Sequence, residues 1–169
     1  ELQGNQVNLT TESFVTARTQ AKGHGGNITI RGLTGKGSRA TDVTLSDNSR
    51  LVSETTGQLL GEGDAGNILV ETARLNLSGG SLFNTASVFS NGAAGNITVN
   101  ATDSLTISGH GTQLFSASEL SNGHAGHISI SAPSVIIENS GFISTSTGLM
   151  GNAGTITVNT NNLQLLSGG

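Results

Sequence analysis

Apolar residues recur along this chain in pairs separated by one polar position, the alternation of a strand that turns one side to a core and the other to water. The clearest pairs are Ile28 and Ile30, Ile68 and Val70, Ile97 and Val99, Ile128 and Ile130, and Ile156 and Val158. Side chains alternate across a strand, so both members of a pair point inward while Thr29, Leu69, Thr98, Ser129 and Thr157 point outward. Each pair is introduced by a glycine and a polar residue: Gly26-Asn27, Gly66-Asn67, Gly95-Asn96, Gly126-His127 and Gly154-Thr155. The steps between these glycines, 26 to 66 to 95 to 126 to 154, are 40, 29, 31 and 28 residues. A period near thirty residues with strand-like content predicts a solenoid, in which each repeat buries its apolar side against its neighbours.

After each anchor pair comes a second one: Val43 and Leu45, Leu75 and Leu77, Leu105 and Ile107, Val135 and Ile137, Leu163 and Leu165. A third couple follows across a Gly- or Asn-containing corner: Leu51-Val52, Leu82-Phe83, Leu114-Phe115 and Phe142-Ile143. Residues 1–24 read as the tail of a repeat begun upstream, with Val7-Asn8-Leu9 as one strand and Phe14 to Ala17 as the next. No helix-length segment separates these runs, and three strands per repeat are too few for a propeller blade. The pattern therefore predicts an all-β chain, a right-handed single-stranded parallel β-helix of about five coils of roughly 30 residues with three short strands each. Residues 1–169 form one such segment, expected to be a piece of a longer array and roughly 25 Å long at the spacing of paired strands. The right hand rests on the general chirality of parallel crossover connections. The facing of the third strand stays open, because Arg18 and Glu54 imply opposite registers.

Stacking assigns roles to the anchor. Asn27, Asn67 and Asn96, with His127 and Thr155 continuing the position as other polar side chains, form a structural ladder or corner cap, in which side-chain amides hydrogen-bond from coil to coil or satisfy backbone groups at the turn. Gly26, Gly66, Gly95, Gly126 and Gly154 serve a corner that needs either a positive φ or close backbone approach. The long first interval comes from residues 31–40, a flexible basic excursion from one corner of the kind a solenoid accepts at low cost.

Composition narrows the interior. With 25 glycines, one proline, no Trp or Tyr and five Phe, the core is a thin aliphatic one rather than the aromatic-rich core of an ordinary domain. Absent cysteine removes disulfides, thiol catalysis and Cys-ligated metals. A net charge of -4 argues against a nucleic-acid partner. No apolar run approaches the length of a membrane span, and no signal peptide opens the chain.

Candidate chemistry is sparse. His24 and His124 both lie two residues before an anchor glycine, but three coils apart, roughly 15 Å. His124 and His127 lack a third ligand nearby, so no metal is expected. Gly61-Glu62-Gly63-Asp64 resembles a calcium-binding repeat only once. Asp42, Asp47, Asp64 and Asp103 fall at unrelated points of the repeat, and no Tyr or Trp is present to stack on sugars. No catalytic residues and no cofactor are assigned, and an enzyme is not expected. The outward Thr column, which would suit an ice-binding array, is interrupted by Leu69.

The phrase Gly92-Ala93-Ala94-Gly95-Asn96-Ile97-Thr98-Val99, followed by Asp103-Ser104-Leu105-Thr106-Ile107-Ser108-Gly109, resembles the repeats of filamentous-haemagglutinin-type exoproteins, abundant in large cyanobacterial members. The resemblance covers essentially the whole chain. It implies a right-handed β-helix shaft of a secreted or cell-surface adhesin-like protein exported by two-partner secretion through a Gram-negative-type outer membrane. The secretion domain's Asn-Pro-Asn type motif has no counterpart here, since the only proline is Pro133. The expected partners are neighbouring coils of the same protein, end-to-end or lateral copies, and an unassigned host or cell-surface glycan. A carbohydrate-binding or polysaccharide-cleaving β-helix, with a concave acidic groove, is the alternative, and a self-assembling filament subunit is a third reading.

Overall fold

The computed structural model describes all residues except Ala21, Glu62 and Ser121, and leaves out the side chains of residues 58–61. The chain is built of strands alone, with no helix among the described residues. Fifteen strands wind into a parallel β-solenoid of about five turns. The first turn comprises β1 (Leu2–Gln3), β2 (Gln6–Leu9) and β3 (Phe14–Thr19). The second comprises β4 (Ile28–Arg31), β5 (Ala40–Leu45) and β6 (Arg50–Gly61). The third is β7 (Ile68–Ser78) and β8 (Leu82–Ser90), and the fourth β9 (Ile97–Ser108) and β10 (Gln113–Glu119). The fifth is β11 (Ile128–Ser131), β12 (Ser134–Glu138) and β13 (Phe142–Thr147), and β14 (Ile156–Asn159) and β15 (Asn162–Leu166) open a sixth.

Every pairing joins a strand to its counterpart one turn away, and every one is parallel. Three faces result, because β7 and β9 each run through one corner and serve two faces, with a register shift between Thr72 and Arg74. In the fifth turn Pro133 breaks that corner into two strands, as expected of a residue with no N–H to give a ladder. In the second turn the excursion does so; Arg31 and Ala40 belong to β4 and β5, leaving residues 32–39 outside the strands. That excursion folds on itself, the Ser38 N–H and hydroxyl both donating to Gly35 O at 3.0 and 2.6 Å.

Register turns the repeat into columns. Ile28, Ile68, Ile97, Ile128 and Ile156 are successive partners, as are Ile30, Val70, Val99, Ile130 and Val158. On the second face Val7, Val43, Leu75, Leu105, Val135 and Leu163 form one column. The first four anchor pairs are buried. Ile156 is 45 % exposed and Val158 only partly covered, because β14 has a partner on one side alone.

The third face resolves the register that the sequence leaves open. Val15, Leu51, Phe83, Leu114 and Ile143 pair in one column and pack against the core. Two residues on, the same inward side carries Ala17, Ser53, Thr85, Ser116 and Thr145, and then Thr19, Thr55, Ser87, Ser118 and Thr147. Arg18 and Glu54 are in register rather than opposed, and form an outward ion pair at 2.6 Å. Nine of these fifteen inward positions carry a hydroxyl, so the strand does not read as a core face.

The corner between second and third faces repeats a left-handed pair in the first, second, third and fifth turns, Thr11 and Glu12, Asp47 and Asn48, Gly79 and Gly80, Asn139 and Ser140, and in the fourth the left-handed residues are Gly109 and Gly111 on either side of His110. Asn and Asp tolerate that region better than most residues and glycine tolerates it freely, so the glycines of the third turn relieve strain that Thr11 and Glu12 bear in the first.

Candidate functional site

The anchor corner, where the third strand of one turn passes into the first strand of the next, holds most of the residues singled out by the sequence. The polar ladder exists, and of the two bonding modes the sequence allows it uses side chain to backbone. Amides do not pair with amides. The Oδ1 of Asn27 accepts the backbone N–H of Asn67 (2.8 Å), that of Asn67 accepts Asn96 N–H (2.7 Å), and that of Asn96 accepts His127 N–H (2.7 Å). His127 continues the series by accepting Thr155 N–H on Nδ1 at 3.0 Å. The reason is local: at this corner the residue's own N–H leaves the strand ladder, and a short side chain below satisfies it. Meanwhile the carbonyls of Asn67, Asn96, His127 and Thr155 accept the N–H groups of Ile28, Ile68, Ile97 and Ile128.

A parallel ladder runs three residues earlier. His24 Nδ1 accepts Asp64 N–H (3.0 Å), Asp64 Oδ1 accepts Ala93 N–H (2.7 Å), and His124 Nδ1 accepts Asn152 N–H (2.9 Å). The sequence placed His24 and His124 at equivalent positions but did not identify this role.

The corner glycines are required by closeness, not by left-handed backbone, since none of Gly26, Gly66, Gly95, Gly126 and Gly154 has positive φ. A Cβ on Gly66, Gly95, Gly126 or Gly154 would fall well inside contact distance of the glycine carbonyl one turn below; Gly26 has only Ala17 near it. A second glycine column, Gly23, Gly63, Gly92, Gly123 and Gly151, is under the same restriction from its second member onward. The spacing Gly-x-x-Gly in all five copies carries that signal in the sequence.

From inside, hydroxyls of the third strand fasten this corner. Ser53 Oγ donates to Gly26 O (2.8 Å), Thr85 Oγ1 and Ser116 Oγ to Gly95 O (2.6 and 2.9 Å), and Thr145 Oγ1 to Gly154 O (3.0 Å). Ser116 Oγ also accepts Gly126 N–H at 2.9 Å. The neighbouring inward hydroxyls of Thr55, Ser87 and Ser118 are buried and have no partner among the described residues.

Charge is arranged along the axis on the outer faces. Arg74 reaches Asp42 at 2.6 Å in the turn below and Asp103 at 3.4 Å in the turn above. The hydrogen bond that Arg74 donates to Asp42, then the Asp42 charge, with Asp103 adding, holds the pKa of the Arg74 guanidinium above its ordinary value. Arg31 lies between Glu1 at 2.9 Å and Glu71 at 3.6 Å.

Metal chemistry finds little purchase at the ladder histidines. A backbone N–H donates to Nδ1 in His24, His124 and His127, which places the ring proton of the neutral form on Nε2 and leaves neither lone pair free. Ligating histidines ordinarily show the reverse, donating one ring N–H and offering the other nitrogen. No group of three or more His, Asp or Glu is placed to hold an ion among the described residues. Of the calcium-like Gly61-Glu62-Gly63-Asp64 stretch, Glu62 lies outside the described residues.

One concavity of about 730 Å³ opens at the corner between first and second faces. Arg39 of the excursion leans over two turns to reach it, its Nη1 donating to Asn100 O at 3.2 Å. Thr102, Ser131, Asn159 and Asn161 line it, and no carboxylate does. No protein family, curated protein sequence or solved structure matches the chain.

Proposed function

We propose that the chain is a structural, non-enzymatic shaft segment of a large secreted or cell-surface adhesin-like exoprotein of the filamentous-haemagglutinin type, exported by two-partner secretion. The observation that carries this reading is the use of the anchor motif: its glycines, ladder side chains and aliphatic pairs all meet the equivalent residues of adjacent turns. A stack of this kind holds its length by continuous backbone ladders, which is the mechanical property a shaft needs. Resemblance in the repeat phrase adds the location and export route. Immunolabelling of intact cells of the source organism, before and after external protease, tests it: surface labelling lost on shaving is expected, and labelling seen only after permeabilisation refutes it.

A glycan-binding reading is favoured by the concavity beneath Arg39. Its lining of hydroxyls, amides and one guanidinium without an ion-pair partner among the described residues suits a hydroxyl-rich ligand bearing a carboxylate. It lacks the carboxylates that a cleaving enzyme would need. A glycan array on the segment and on Arg39→Ala, with a reducing-sugar assay, separates the readings: saturable binding abolished by Arg39→Ala would replace the pure shaft, and release of reducing ends would refute the absence of catalysis. End-to-end assembly is the third reading. The apolar end formed by Ile143, Ile156, Val158, Leu163 and Leu165 motivates it, and concentration-independent light scattering would exclude it.

A further inference from the structure

We propose that His124 and His127 make the stacking of the sixth turn on the fifth sensitive to protons, through hydrogen bonds that only a neutral imidazole can accept. The inference does not depend on the shaft reading.

In most turns the ladder acceptor at the anchor corner is an amide or carboxylate oxygen; between the fifth and sixth turns both acceptors are imidazole nitrogens. His124 Nδ1 takes the Asn152 N–H at 2.9 Å and His127 Nδ1 takes the Thr155 N–H at 3.0 Å. A backbone N–H only donates, so each Nδ1 must carry its lone pair toward the turn above. Protonation places a hydrogen on that nitrogen. The acceptor is lost and two N–H groups then face one another. Imidazole is the side chain that makes this change in mildly acidic solution. The amide oxygens of Asn27, Asn67 and Asn96 do not titrate there, so the bonds they accept in lower turns are unaffected.

What surrounds each ring grades the response. His24, which accepts the Asp64 N–H, also has Asp64 Oδ2 at 3.7 Å, so its cationic form gains an ion pair that offsets the lost bond. His127 has the Thr155 hydroxyl at 2.7 Å, and that oxygen can turn from donor to acceptor and keep a link to a protonated Nδ1. His124 has no such substitute. Below it lies Ala94, whose N–H donates to the His124 carbonyl; above it lies Asn152, and it makes no ion pair among the described residues. His127 likewise faces only the uncharged Asn96 below and Thr155 above. The predicted order of loss is Asn152 first, Thr155 second, Asp64 least.

Residue-resolved amide exchange on the 169-residue chain at about pH 7.5 and about pH 5, with intrinsic rates divided out, reads this directly, and the Asn-accepted amides of Asn67, Asn96 and His127 serve as controls in the same molecule. Loss of one hydrogen bond predicts about fivefold lower protection of the Asn152 amide relative to Asn96 in acid. The double variant His124→Asn and His127→Asn installs at 127 the residue its ladder uses in lower turns and at 124 the residue that stands at the same place one turn above, Asn152, so it keeps the fold and should abolish the pH response. The proposal is overturned if Asn152 and Asn96 lose protection in step, or if the double variant responds to acid as the parent does.

Discussion

Ser116 and Ser118 sit two residues apart on β10, both on its inward side and both fully buried, yet their hydroxyls are in opposite situations. Ser116 Oγ donates to Gly95 O and accepts Gly126 N–H, each at 2.9 Å. Ser118 Oγ has no partner among the described residues. Replacing Ser116 by Ala leaves Gly95 O with its other donor, Thr85 Oγ1 at 2.6 Å, but strands the Gly126 N–H inside the corner. A lost bond with a buried donor left unpaired costs about 2–3 kcal/mol. Replacing Ser118 by Ala removes a desolvated hydroxyl that nothing satisfies, which is neutral or stabilising by about 1 kcal/mol. The two variants should therefore differ by about 3 kcal/mol, although they delete the same atom from the same strand. Urea unfolding followed by far-ultraviolet circular dichroism should separate their midpoints by about 1 M or more, with Ser118→Ala at or above the parent. Solenoids lose order turn by turn, so amide exchange at Gly126 supplies the local readout, and it should rise only in Ser116→Ala. If Ser118→Ala is destabilised as much as Ser116→Ala, the assignment of hydroxyls as corner fasteners is wrong.

Ile97→Asp puts an unpaired carboxylate at a fully buried position and should cost at least about 4 kcal/mol, seen as loss of the cooperative transition; a melting curve like the parent's would refute the inward register. Gly126→Ala should be far worse than Gly35→Ala, because a Cβ at Gly126 meets the Gly95 carbonyl and one at Gly35 meets nothing; the latter is limited to about 1 kcal/mol of left-handed strain, and equal midpoints would contradict the close-approach account. Arg74 is held more basic than usual by Asp42, so its contribution is complete below the ordinary arginine range and is lost only as pH rises through the still higher folded value; the effect of Arg74→Met on the urea midpoint should stay constant from about pH 6 to about pH 10, and a drift across that window would argue against the pairing.

Much of the solenoid was open to reading because two of its faces follow the simplest rule of strand chemistry. Ile97-Thr98-Val99 alternates, and so does Leu105-Thr106-Ile107, and the interval between copies is the length of a turn. The third face was not readable in the same way. Its inward side carries one aliphatic or aromatic residue followed by Ala, Ser or Thr, so Leu114 is succeeded inward by Ser116 and Ser118, and polarity no longer distinguishes inside from outside. Arg18 and Glu54 deepened the ambiguity only when treated as separate signals; once paired across turns they are one outward position.

At the anchor corner the residue types were legible and their chemistry was not. A recurring Gly-Asn announces a tight, repeated corner, but whether the glycine answers to φ or to a neighbour depends on the turn below, which lies 28 to 40 residues away. For the same reason the ladder bonds stayed open between two modes: amide-to-amide stacking and amide-to-backbone bonding place the same residue at the same interval. The short-range pattern along the chain therefore determined the strands, the period and the aliphatic columns. Stacking alone decided which atom each ladder side chain meets, because every ladder partner belongs to another turn and comes within reach only when two turns lie one strand spacing apart.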